Sequence, residues 1–181
     1  AFRLVLPGEG PLSVEDDFFN DLGGDSLTAA MVVSELREHA DTALLTVVPD
    51  TGLSVLLVRR MEGKRALWAL PGTFLHEGER LTDAVTRSLR DKAGIAGLAP
   101  QQLRVLDDPR RDDRGWVLSV AHLETVRYDA VAHLDSHEAA LRPVASLPRL
   151  AFDHKAVVQL AVDELRAQYA EHPDPRRLLE E

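Results

Sequence analysis

The chain contains no cysteine among its 181 residues. Disulfides, thiolate metal sites and a cysteine nucleophile are therefore excluded. Aromatic residues make up only 5% of the sequence, and the two tryptophans, Trp68 and Trp116, are the large stacking surfaces it offers. No apolar run approaches the ~20 residues that a membrane helix needs. The first residues lack a basic stretch followed by an apolar core, so no signal peptide is expected, and a cytoplasmic location is the default. Positive charge is short as well: 21 Lys and Arg face 30 Asp and Glu, for a formal net charge of −9. Without a basic patch, a nucleic-acid backbone is not an expected partner. What is present is 45% apolar and 28% charged residues, the balance of a globular chain. The length suits one ordinary domain, or one domain with a small companion.

The pattern changes near residue 40. Residues 1–39 open with Pro7, Gly8, Gly10 and Pro11, pass through an acidic-aromatic stretch from Glu15 to Phe19, and reach Leu22-Gly23-Gly24-Asp25-Ser26-Leu27. A helical pattern follows from Ser26 to Glu38, with Asp25 or Ser26 as its cap. From Thr42 the chain turns to strands. Ala43–Val48 and Leu53–Val58, joined through Pro49-Asp50-Thr51-Gly52, predict a hairpin. Further strands are expected at 66–70, 103–106 and 116–126. Leu81 to Ala93 reads as an amphipathic helix ended by Gly94, and Phe152 to Tyr169 as a second one carrying Val157, Leu160, Ala161, Leu165 and Tyr169 on its apolar stripe. Residues 42–170 thus predict an α/β (α+β) domain with its sheet between helices. Residues 171–181, with His172-Pro173-Asp174-Pro175, read as a linker-like tail.

The segment from Leu70-Pro71-Gly72 to Gly94-Ile95 resembles the Nudix box. With Glu79 on the first glutamate of that pattern, Arg87 falls on its arginine, Leu89 on an apolar position, Gly94 on its glycine and Ile95 on the last apolar position, without insertion or deletion. Thr73 takes the place of the pattern's first glycine, with Gly72 just before it. The likeness extends through Asp107 to Arg110, Arg114 to Ala121, and Phe152-Asp153-His154. It points to the branch of ADP-ribose pyrophosphatases and their non-catalytic regulator relatives. It implies a Nudix-type mixed sheet sandwiched between helices, an Arg87–Glu79 salt bridge supporting the loop, and the dimerisation common in that branch.

The chemistry of an active box needs carboxylates at i, i+3 and i+4, which share one helix face and converge on Mg²⁺. Those positions here are Ser88, Asp91 and Lys92. Their formal charge sums to zero. Lys92 is expected to pair with Asp91 and repel a cation, and Asp91 alone cannot hold two metals. The alternative is that the three form an ordinary solvated face. A nucleotide-type ligand remains compatible with the rest of the chain. Arg110, Arg111 and Arg114 are candidates to hold a diphosphate, and Trp68 or Trp116 to stack on a base. The plainer reading makes Trp116 core and the Arg/Asp cluster a loop that balances its own charge. His154 reads as a base, or as a capping or core histidine.

Asp16 to Leu27 resembles the attachment motif of peptidyl and acyl carrier domains. That likeness implies that Ser26 accepts 4′-phosphopantetheine from a phosphopantetheinyl transferase and that neighbouring assembly-line domains are partners. Glycines before the serine let the loop turn sharply, and a helix start favours the incoming phosphodiester. A carrier domain is a four-helix bundle, whereas residues 1–39 supply the end of a first helix, a loop and a second helix. They are too few for an independent core. Three functions stay open: a non-catalytic Nudix-like module joined to a carrier segment in nonribosomal-peptide or polyketide-type biosynthesis, a Mg²⁺-dependent hydrolase of ADP-ribose-like pyrophosphates, and a nucleotide-sensing domain without its DNA-binding wing.

Overall fold

The computed structural model describes residues 37–62, 65–112, 115–134, 136–176 and 178. Ser26, Arg114 and the helix expected from Ser26 fall outside them, except for the end of that helix. Arg37 and Glu38 are strand there, not helix, because they open β1 (Arg37–Val48). The chain divides into two compact units, Ala1–Arg37 with Asp107–Leu118, and Glu38–Leu106 with Ser119–Glu181.

The larger unit is built on a sheet. The hairpin expected at Pro49–Gly52 joins β1 to β2 (Gly52–Glu62), which pair antiparallel with Leu45 opposite Val55. The turn places Asp50 at φ 65° and Gly52 at φ 77°. β3 (Arg65–Ala69) adds to β2. β5 (Gln101–Leu106) and β6 (Val117–Thr125) pair antiparallel, giving the order β3-β2-β1-β6-β5. Two short strands escape the sequence pattern. β4 (Gly72–Phe74) pairs with the first half of β1, and β7 (Ala139–Pro143) pairs with β2. Both are too short to show a period of two, and β7 ends on a proline.

Alternation along β1 divides the core in two. Ala43 and Leu45 point to one face, where Val157, Val158, Ala161, Val162 and Leu165 of α3 (His154–Glu171) cover the sheet. Ala40 and Leu44 point to the other, where Val85, Leu89 and Ala93 of α1 (Leu81–Ala93) pack. The short α2 (Tyr128–Val131) and Leu134 close that second core. The helix-sheet-helix arrangement is the α/β fold expected from the sequence. Of the expected stripe on α3, Leu160 and Tyr169 are only half-buried, and Val158 and Val162 take the deeper places. The tail differs from a linker: Leu178 is buried in the first core, and its N–H donates to the Asp174 side chain. No helix among the described residues is long and apolar enough to cross a membrane.

Candidate functional site

The loop before α1 is braced by one arginine. Arg87 Nε and Nη2 donate to the two carboxylate oxygens of Glu79, each at 2.8 Å. The same guanidinium donates to Thr73 Oγ1 at 3.1 Å and to the Phe74 carbonyl at 3.0 Å. Glu79 also accepts the His76 N–H at 2.9 Å, closing the loop on itself. These bonds, first among them that from Arg87, pull the Glu79 carboxyl down to about 2. At its far end α1 stops on Gly94 in the left-handed region, φ 68°. There the N–H of Gly94 bonds to the Arg90 carbonyl and that of Ile95 to the Leu89 carbonyl, satisfying the last turn.

The three helix positions that the box chemistry depends on part ways in space. Ser88 is buried, and its hydroxyl meets no hydrogen-bond partner among the described residues. It is therefore no part of a solvated face. Asp91 is exposed and pairs with Arg90 at 3.0 Å, instead of with Lys92. Lys92 reaches back to the chain before the helix, and its ammonium donates to the Gly72 carbonyl. Among the described residues no cluster of three or more His, Asp or Glu could hold a metal ion. A carbonyl oxygen is a hard ligand of the kind Mg²⁺ takes. This one is engaged by an ammonium, and the donor set around it does not fit a divalent cation.

Beside Gly72 lies a buried carboxylate that sequence reasoning missed. Asp41 is fully buried, and its Oδ2 accepts the Ser119 hydroxyl at 2.8 Å. His39 Nδ1 stands 3.3 Å from the same oxygen and His154 Nε2 stands 3.2 Å from Oδ1. His154 Nδ1 accepts the Leu70 N–H at 2.9 Å. Accepting that bond requires a bare Nδ1, which assigns the ring proton to Nε2 and aims it at Asp41. His154 thus has no lone pair left for a base, and the core-histidine reading holds. Burial, the largest influence, works against a charge on Asp41, but hydrogen bonding from the His154 and His39 side chains outweighs it and holds the carboxyl well below its ordinary range. Gly72 is the only residue type that fits against this cluster. A Cβ there would lie 2.7 Å from His39 Cε1, 2.9 Å from the Ala40 carbonyl and closer still to Asp41.

A cavity of about 400 Å³ opens onto these groups, walled by His39, Asp41, Gly72 and His154 together with Lys92, Asp91, Arg59, Arg60, Glu138 and Phe152. Two of its arginines are stacked on aromatic rings. The Arg59 guanidinium lies 4.3 Å from the Trp68 ring centre, and that of Arg60 lies 4.7 Å from the Phe152 ring centre. Trp68 also carries Arg142 at 5.0 Å, so two cations engage the ring expected to stack on a base. Phe152 holds φ at 51°, a strained value for a bulky residue. Arg110 is exposed and paired with Asp108 at 3.5 Å, as a loop balancing its own charge would have it. Trp116 is half-buried. The sequence signal for Asp41 is its spacing of two from His39, the period of a strand, which the helical pattern running up to Glu38 obscures.

The NUDIX domain family matches residues 38–164. A second match, to the phosphopantetheine attachment site, covers residues 3–44 and so shares 38–44 with the first. The chain is 30% identical over 122 residues to an ADP-ribose pyrophosphatase of Methanocaldococcus jannaschii, covering 67% of this chain and 72% of that protein. It is similar to the solved NUDIX domain of Shewanella oneidensis NrtR, described as a cocrystal structure complexed with ADP ribose. The TM-score is 0.61 at 31% identity, over 71% of this chain and 87% of that one. A third likeness concerns 37 residues, 20% of the chain, which are 54% identical to a delta-poly-L-ornithine synthetase of Acinetobacter baumannii and cover 3% of that enzyme. With the helix-sheet-helix fold, the Glu79–Arg87 brace and a family match over more than half its length, the chain belongs to the NUDIX domain family, in the branch of ADP-ribose pyrophosphatases and NrtR-type regulators.

Proposed function

We propose that the Nudix domain binds a nucleotide diphosphate of the ADP-ribose class without hydrolysing it efficiently, beside a carrier segment that takes 4′-phosphopantetheine on Ser26. The carrying observation is the fate of the box helix. Ser88 is buried, Asp91 turns to Arg90, and Lys92 brings a positive charge to the Gly72 carbonyl. Hydrolysis of a pyrophosphate in this family calls for carboxylates that gather Mg²⁺, which then polarises the substrate and activates water. The box is degenerate in this sense, while the cavity, its arginines and the brace that shapes its loop are in place. The likeness of the domain to an ADP-ribose pyrophosphatase and to a domain crystallised with ADP ribose supports the ligand class. The attachment-site match over residues 3–44 supports a setting in assembly-line biosynthesis, with a phosphopantetheinyl transferase and neighbouring catalytic domains as partners.

Two experiments test the two halves. Incubated with ADP-ribose and Mg²⁺, the chain is expected to leave the nucleotide intact, and Ser88→Glu with Lys92→Glu is expected to raise turnover above that baseline. Robust wild-type turnover that Asp91→Ala abolishes would show the domain to be a working hydrolase. Treated with a phosphopantetheinyl transferase and coenzyme A, the chain is expected to gain the mass of the arm, and Ser26→Ala to lose that gain. An unchanged wild-type mass would remove the carrier half.

A further inference from the structure

The apolar segment before β1, which lies outside the described residues, needs a surface to cover it. From Leu27 to Leu36 seven of ten residues are apolar, and Thr28 and Glu35, seven apart, fall on one edge of a helix. A helix that is apolar over most of its circumference is a buried one. Residues 1–39 are too few to bury it themselves. No linker separates it from the Nudix domain. The attachment-site match runs to residue 44, the NUDIX match begins at 38, and β1 begins at Arg37. The segment therefore joins β1 where the Arg37 N–H donates to the Trp116 carbonyl at 3.1 Å. A helix from Ser26 to Leu36 extends only about 16 Å from that point.

Trp116 ends a long connection. β5 and β6 pair antiparallel, yet residues 107–116 lie between them, where a hairpin loop commonly has about two to five residues. Asp107, Asp108 and Pro109 are exposed, but farther along Asp112 is buried and Trp116 half-buried. Burial of an aspartate on a connecting loop is uncommon, because such loops run over the surface. The stretch Asp107–Leu118 belongs with Ala1–Arg37 in the smaller compact unit, not with the larger one.

We propose that the helix of residues 26–36 docks on the Asp107–Leu118 stretch beside Trp116. This surface serves in place of the third and fourth helices of a carrier bundle, whose place in the chain β1 takes. Helix and loop then fold together, and Ser26 is presented to a transferase only while the loop holds the helix. The docking does not depend on Ser26 carrying an arm. Its consequence for modification rests on the carrier reading above.

The test is hydrogen exchange of the whole chain, read by mass spectrometry. Amides 27–36 are expected to exchange ~100-fold or more slowly than in a free peptide, as those of a packed helix do. Trp116→Ala should return ~10-fold or more of that protection while α1 and α3 keep theirs, since an aromatic side chain is the largest contact the loop can lose. Val33→Asp, opposite the polar edge, should in turn speed exchange within 107–118. If Trp116→Ala also loosens α1 and α3, the Val33→Asp measurement decides alone. Residues 27–36 exchanging at the free-peptide rate in the wild type overturn the docking. Protection that leaves 107–118 unmoved in Val33→Asp also overturns it, by putting the cover elsewhere, a second copy of the chain included. Arm attachment to Ser26 by a phosphopantetheinyl transferase should slow ~10-fold or more in Trp116→Ala. A wild type that protects 27–36 but gains no mass keeps the docking and removes the carrier reading. One that gains the mass with 27–36 unprotected does the reverse.

Discussion

Two ionic clusters flank Gly72-Thr73-Phe74, and they differ in kind. Arg87 and Glu79 form the first, near the surface, with side chains 20% and 13% exposed. It is a bidentate pair whose remaining donors brace a loop. Asp41, His39, His154 and Ser119 form the second, within the protein, around a fully buried carboxylate. The first holds a shape that the family shares. The second sets a cavity wall that tolerates no side chain at residue 72. A loop held by a partly solvated pair can relax when altered, whereas a buried charge network has no slack.

That contrast can be broken in three places. The largest effect is expected at the buried wall. Gly72→Ala forces a methyl group against Asp41, His39 and the Ala40 carbonyl, and should cost about 3 kcal/mol in chemical denaturation, the upper part of the usual range for overpacking. At the other end of the frame, Gly94→Ala meets no atom within 4 Å and suffers only from its φ of 68°, so the loss should be about 1 kcal/mol. Equal losses at the two glycines would mean that the Asp41 cluster yields more than its burial suggests. The smallest effect concerns pH. The Glu79 carboxyl lies at about 2 in the folded chain against an ordinary 4.5 for a glutamate. Its contribution to stability is therefore complete above 4.5 and is lost as the pH falls toward 2. Thermal melts across that window should fall more steeply for the wild type than for Glu79→Gln. Parallel curves would show that the pair shapes the loop without stabilising the fold.

The two clusters also differ in how far the sequence announced them. Glu79 and Arg87 lie eight residues apart on one loop and helix, and Gly94 marks where that helix ends, so local spacing was enough to place them. The departure at Ser88, Asp91 and Lys92 was equally plain as a list of residues. Their directions were not, since burial of Ser88 and the reach of Lys92 to Gly72 depend on how α1 lies against β4. The Asp41 cluster draws on residues 39, 41, 119 and 154, and no local pattern joins them. The surroundings of the ligand candidates were no plainer: the fold gives Trp68 two stacked arginines and Arg110 the Asp108 carboxylate, neighbours that residue type alone does not announce.

By itself the sequence determined the class of the fold, the register of the box, and the bounds of its helix, because hydrophobic period, turn residues and capping glycine act over a few residues. Only the tertiary structure decided which charges are buried, which are paired and which face the cavity. Those properties arise from distant strands and helices brought together, and a carboxylate such as Asp41 acquires its character from neighbours that the chain order keeps far apart.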